Sequence, residues 1–119
     1  MKRCVFFSLL LLLFSCSKHD EIDFEGELVD VRYCASSSSM SNSAAYFVRL
    51  DKPADLGGDY TSLAGEEYEN VVMLFEPDRR LYKGDRISGS FYLDEGYGRA
   101  NCGSWTDVDL PEGVFTSVD

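Results

Sequence analysis

The stretch "RISGSFYLD", Arg86–Asp94, decides the fold. Ile87, Gly89, Phe91 and Leu93 alternate with Arg86, Ser88, Ser90, Tyr92 and Asp94. A period of two places the first set on one face of a strand and the second on the other. Gly89 in the inward set predicts a sharp bend or bulge, as a small barrel requires. "LYKGD" leads into this strand, and "DEGYG" at residues 94–98 turns the chain out of it.

The same pattern recurs on both sides. "NVVMLFE", Asn70–Glu76, is apolar on both faces and predicts a central strand, ended by Pro77-Asp78. Glu27–Cys34 alternates Val29, Val31 and Tyr33 with Asp30 and Arg32. Ala45–Asp51 sets Tyr46, Val48 and Leu50 against Phe47 and Arg49, and Pro53 ends it. Between them, "SSSSMSNSA" at residues 36–44 reads as a flexible loop. Residues 54–69 hold Gly57, Gly58, Gly65 and five acids, and predict a long excursion with one helical turn near Leu63–Glu67. Downstream, Arg99–Asp107 predicts a fifth strand carrying Cys102 and Trp105; Pro111-Glu112-Gly113 predicts a turn and "VFTSV" a short edge strand. Long helical periodicity is lacking. The expected class is all-β: a small antiparallel barrel of five or six strands, with a β-sandwich as the alternative. The seven strands of an immunoglobulin-like sandwich would crowd so short a chain.

At 119 residues the chain suits one domain. Its formal net charge is −10, and acids recur from Asp20 to Asp119. Phosphate binding needs a basic stripe that releases counterions, so this balance argues against a nucleic-acid partner.

Lys2 and Arg3 open the chain, and an apolar run follows from Val5 to Phe14, broken only by Ser8. Ten helical residues reach roughly 15 Å, about half a hydrocarbon core, so the run has the layout of a secretory signal and not of a span. Leu13-Phe14-Ser15-Cys16 resembles a bacterial lipobox, with Phe14 where a smaller residue is commoner. The resemblance implies acylation of Cys16 and cleavage before it. Loss of residues 1–15 from 119 would leave 104, with 9 of the 11 basic side chains against 21 acids, a net of −12. Several acyl chains on one residue make a stable anchor where one holds only marginally. Ser17-Lys18-His19-Asp20-Glu21 resembles the charged tether of surface lipoproteins of the Bacteroidota, which implies an outer-membrane address with export to the cell surface. Serine after the cysteine, by resemblance to the enterobacterial sorting rule, argues against inner-membrane retention. The expected organisation is a signal peptide at 1–15, a lipid-anchored tether at 16–24 and a single β-domain at 25–119.

Together with this start, "KGDRISGSFYL" looks like the fourth strand of an OB-like barrel. The whole resembles the OB-containing N-terminal domains of NigD-like lipoproteins of the Bacteroidota, over roughly residues 25–105.

With Cys4 removed and Cys16 acylated, Cys34 and Cys102 remain, and in an oxidising compartment an even pair reads as a disulfide. A soft-ligand metal site lacks its third and fourth ligands, and no cofactor is expected. His19, the single histidine, lies in the tether, so a Cys–His or Ser–His pair within the domain is excluded. Glu66, Glu67 and Glu69, or Asp107, Asp109 and Glu112, would supply oxygen ligands for calcium, but their spacing matches no calcium loop. Exposed tyrosines supply rigid contact area, so Tyr46, Tyr92, Tyr97 and Trp105 form the candidate binding surface. The expected function is a non-enzymatic binding or assembly module on a lipid anchor, with a protein or a glycan as partner. The alternatives are a structural subunit of an envelope complex and a hydrolase working through two carboxylates.

Overall fold

The computed structural model describes residues 20–34, 44–98 and 108–119. The signal peptide, Cys16, residues 36–43 of the serine-rich loop, and the expected fifth strand with Cys102 and Trp105 lie outside the described residues.

Six strands follow in order: β1 Ile22–Tyr33, β2 Ala44–Lys52, β3 Gly58–Thr61, β4 Glu67–Phe75, β5 Arg86–Leu93 and β6 Glu112–Val118. The protein is all-β, as its alternation implies. Pairing runs β2-β1-β5-β6-β4-β3, and β2 also pairs with β4. The sheet therefore closes on itself in a ring, β1-β2-β4-β6-β5 and back to β1, with β3 appended to β4.

The ring is not wholly antiparallel. Met73–Phe75 of β4 run parallel to Glu112–Val114 of β6, whereas the other pairings are antiparallel. Parity is the reason. Five strands that alternate in direction cannot close a circle without one parallel pair. For the same reason "VFTSV" is no edge: β6 lies between β5 and β4. It begins at Glu112, so Glu112 and Gly113 belong to a strand and not to a turn.

Other boundaries also differ from expectation. β1 starts at Ile22, inside the stretch read as tether, and Phe24 is a core residue. The expected helical turn near Leu63–Glu67 is a reverse turn instead. The Gly65 amide donates to the Ser62 carbonyl at 2.9 Å, and the Ser62 amide to the Glu66 carbonyl at 2.8 Å. It joins β3 to β4, and Gly65 takes the positive φ such a turn needs.

The alternation of β1, β2 and β4 feeds two apolar clusters, one on each side of the wall. Phe24, Leu28, Val48, Leu50, Val72, Leu74, Leu81, Ile87, Phe91, Phe115 and Val118 fill the interior. Val29, Ala45, Phe47, Tyr60, Val71, Met73, Phe75 and Leu110 pack against the outside. Gly89 meets the expectation of an irregular strand. A Cβ there would collide with the backbone carbonyl of Ser117, and the β5–β6 register slips between Ser90 and Phe91.

Candidate binding surface

Asn70 organises the end of the ring where β2 passes to β3. It is left-handed, with φ 60°. Its Oδ1 accepts from the Gly57 amide at 2.6 Å, and its Nδ2 donates to the carbonyls of Leu50 at 3.0 Å and Pro53 at 3.1 Å. The β2–β3 connection is thereby pinned to the strand that both β2 and β3 pair with.

That connection lays Tyr60 over the outer wall. Its ring stacks on Phe47 with centroids 4.4 Å apart and planes 13° from parallel. The Arg32 guanidinium sits over both rings, 5.6 and 5.7 Å from their centroids. Tyr60 donates its hydroxyl to Asp30 Oδ2 at 2.6 Å. Burial, then the Asp30 carboxylate, push the phenol well above its ordinary range. Further along, Tyr97 packs on Phe75 with centroids 5.1 Å apart and donates to Glu76 Oε2. Burial first, then Glu76, raise its pKa as well. The outer wall of β1, β2 and β4 is thus occupied by the chain's own aromatic side chains.

Several carboxylates of the described surface are engaged. Asp51 accepts from Arg49 at 2.9 Å and from Arg86, and Arg49 reaches Glu27 at 3.0 Å. These arginine contacts, Arg86 foremost, hold the Asp51 carboxyl below its usual range. Glu66 accepts from Tyr68 at 2.9 Å and from Lys83 at 3.5 Å, which lowers its pKa. Glu112 accepts the Gly98 amide at 2.8 Å. Among the described residues no three histidines, cysteines or acids converge as a metal cage.

The four aromatics expected to share a surface do not all do so. Tyr46 packs half-buried against the interior cluster, edge-on to Phe115 at 6.3 Å. Tyr97 belongs to the outer cluster. Tyr92 lies half-buried on β5, within electrostatic reach of Tyr97. Trp105 lies outside the described residues. The exposed large apolar side chains among the described residues are instead Tyr33, Leu63 and Tyr82, at 74, 81 and 60%.

Tyr33 marks one pole of the ring. Tyr33 faces Ala44, Val31 faces Tyr46, and Ala45 faces Phe75, so the ends of β1 and β4 and the start of β2 lie in a row. The β4–β5 connection leaves from this row. It buries Leu81 in the interior cluster and leaves Arg79 and Arg80 exposed. Tyr46, whose phenol is raised by burial, feels Tyr33 next and then the Arg80 charge. Tyr46 thus lies within electrostatic reach of Tyr33 and Arg80. The stretch "PDRRLYKGDR" places four cations within ten residues of an acidic chain.

Cys34, at the end of β1 beside the outer cluster, is disulfide-bonded. Comparisons with protein-family models, curated proteins and solved structures return no match for this chain.

Proposed function

We propose that the chain is an envelope lipoprotein, anchored to the outer membrane through acylated Cys16, whose ring domain is a non-enzymatic binding module. The observation that carries this reading is the start of β1. Ile22 is already strand, so five residues, Ser17–Glu21, would join the lipid to the wall of the ring. Tyr33 closes that twelve-residue strand, eleven residue steps from Ile22. At about 3.3 Å per residue this is roughly 36 Å of contour. A domain held by its near end presents the opposite pole, with Tyr33, Tyr46 and Arg80, away from the lipid. We further read the ring as OB-like, which its strand order and single parallel closure support, and Cys102 as the partner of Cys34.

Metabolic labelling with an alkyne fatty acid tests the anchor. The full chain should take up label, and Cys16→Ala should take up none and lose its membrane fraction. Unlabelled wild-type chain overturns the reading. Display is tested by protease added to intact cells: digestion of the wild-type chain supports surface exposure, and protection until lysis refutes it.

A further inference from the structure

The β4–β5 connection differs from the rest of the described surface in its backbone. Glu76 turns the chain out of β4 with φ 64°. Among the described residues, Pro77, Asp78, Arg79, Arg80 and Leu81 then make no backbone hydrogen bond. Asp78, Arg79 and Arg80 are exposed. Bonding resumes at Tyr82, whose amide donates to Asp85 Oδ2 at 2.8 Å and whose carbonyl accepts the Asp85 amide at 3.0 Å. The segment is held to the ring by Leu81, which is buried in the interior cluster.

The other cations of the described residues sit differently. Arg32, Arg49, Lys52 and Arg86 lie in paired strands. Lys83 lies in a turn that the Gly84 amide and the Asp85 carbonyl tie to Leu28, at 2.8 and 2.9 Å. An endopeptidase takes its substrate as an extended strand, so it needs backbone that is exposed and free of ladder bonds. A carboxylate in a trypsin-like specificity pocket grips a guanidinium with two parallel hydrogen bonds. Arg79 and Arg80 meet both requirements.

A cut here need not dismantle the ring. One piece would carry β1–β4 and the other β5 and β6. Ile22–Glu27 of the first pair with Arg86–Phe91 of the second, and Met73–Phe75 with Glu112–Val114. The interior cluster is shared as well: Leu28 and Leu74 come from the first piece, Ile87, Phe91 and Phe115 from the second.

We propose that the Arg79-Arg80 pair is a cleavage site for an arginine-directed endopeptidase, and that the cut chain persists as a two-part ring. Water supplies a hydroxyl to the carbonyl carbon after either arginine and a proton to the leaving amine. One amide is thereby exchanged for a carboxylate and a new amino terminus. Leu81 paces the cut, because its side chain must leave the interior before the residues that follow the arginines can enter the enzyme's cleft. The site needs neither the lipid anchor nor a ligand, so it stands apart from the binding-module reading.

The test is limited digestion of the full-length chain, in detergent and with a C-terminal affinity tag, by a low ratio of trypsin, which accepts lysine as well as arginine. Intact mass after reduction and denaturation should place the first cut between Ile22 and Asp119 after Arg79 or Arg80. Native capture on the tag should retain both pieces. Capture after reduction and denaturation should retain only the piece that starts at Arg80 or Leu81. Arg79→Gln combined with Arg80→Gln should slow that cut by roughly tenfold or more, and Lys83→Gln should leave it unchanged. Leu81→Ala should speed it severalfold at the same bonds. A first cut elsewhere in the ring domain, equal cutting of the doubly substituted chain, or loss of the first piece from native capture overturns the inference. A Leu81→Ala chain cut no faster than wild type overturns the pacing role of Leu81.

Discussion

Tyr60 lies flat on Phe47, 4.4 Å between ring centroids, and donates its hydroxyl to Asp30. The stack and the hydrogen bond hold β3 against the wall by different means, and substitution separates them. Tyr60→Phe keeps the rings together and removes one bond to a carboxylate, a loss of about 1–2 kcal/mol. Phe47→Ala removes a fully buried ring from beneath the stack and costs about 3–5 kcal/mol. Urea unfolding of both variants checks the ranking. Equal losses would mean that the hydroxyl, not the ring, holds the strand.

Asn70 yields a sharper contrast. Its side chain makes three hydrogen bonds from a left-handed backbone. Asn70→Ala loses the bonds and strains the backbone, whereas Asn70→Gly loses the bonds alone. Alanine should therefore be worse than glycine by about 1 kcal/mol, although glycine is ordinarily the weaker residue in a strand. Chemical denaturation of the two variants measures the difference. Alanine better than glycine would remove the left-handed backbone of Asn70 as a source of strain.

Legibility followed the period-two signal and failed where that signal is short or ambiguous. β5 and β2 were readable because Ile87, Phe91, Val48 and Leu50 sit at clean alternate positions. The start of β1 was obscured by Asp23 and Glu25, whose charges look like tether although Phe24 between them is buried. β3 has four residues, two of them Gly58 and Asp59, too few to show a period. The parallel β4–β6 pair is a property of the closed ring and of no local stretch. The expected aromatics divide between two clusters because alternation separates two faces, and both are covered. Tyr46 and Phe47, neighbours in sequence, pack into different clusters.

The surface ion pairs predict a specific acid response. Asp51 is lowered in the folded protein by Arg86 and Arg49. A carboxyl whose folded pKa is depressed adds stability that is fully present above its unfolded pKa and is lost as pH falls through the folded one. The stability difference between the wild-type chain and Asp51→Asn should therefore be measurable at neutral pH. It should shrink as pH falls through the carboxylate range and shrink again in high salt, because the group is solvent-exposed. Thermal melts across pH, with and without salt, follow both effects. A difference that persists at low pH would mean that the side chain's packing, not its charge, matters.

The Cys34 crosslink predicts how stability responds to its loss. Cys34 is disulfide-bonded, and we assign Cys102 as its partner. Sixty-eight positions separate the two. Closing such a loop restricts the unfolded chain by about 4 kcal/mol in the chain-entropy account, a large share of the roughly 5–15 kcal/mol that holds a small domain together. If the two cysteines are bonded to each other, Cys34→Ala and Cys102→Ala should be destabilised to a similar extent, and the double variant no more than either, because one crosslink is lost once. Alkylation of the wild-type chain with and without reductant, read by intact mass, should reveal two additional modified thiols after reduction. Losses that add in the double variant would show that each cysteine acts alone, and would assign Cys34 a different partner.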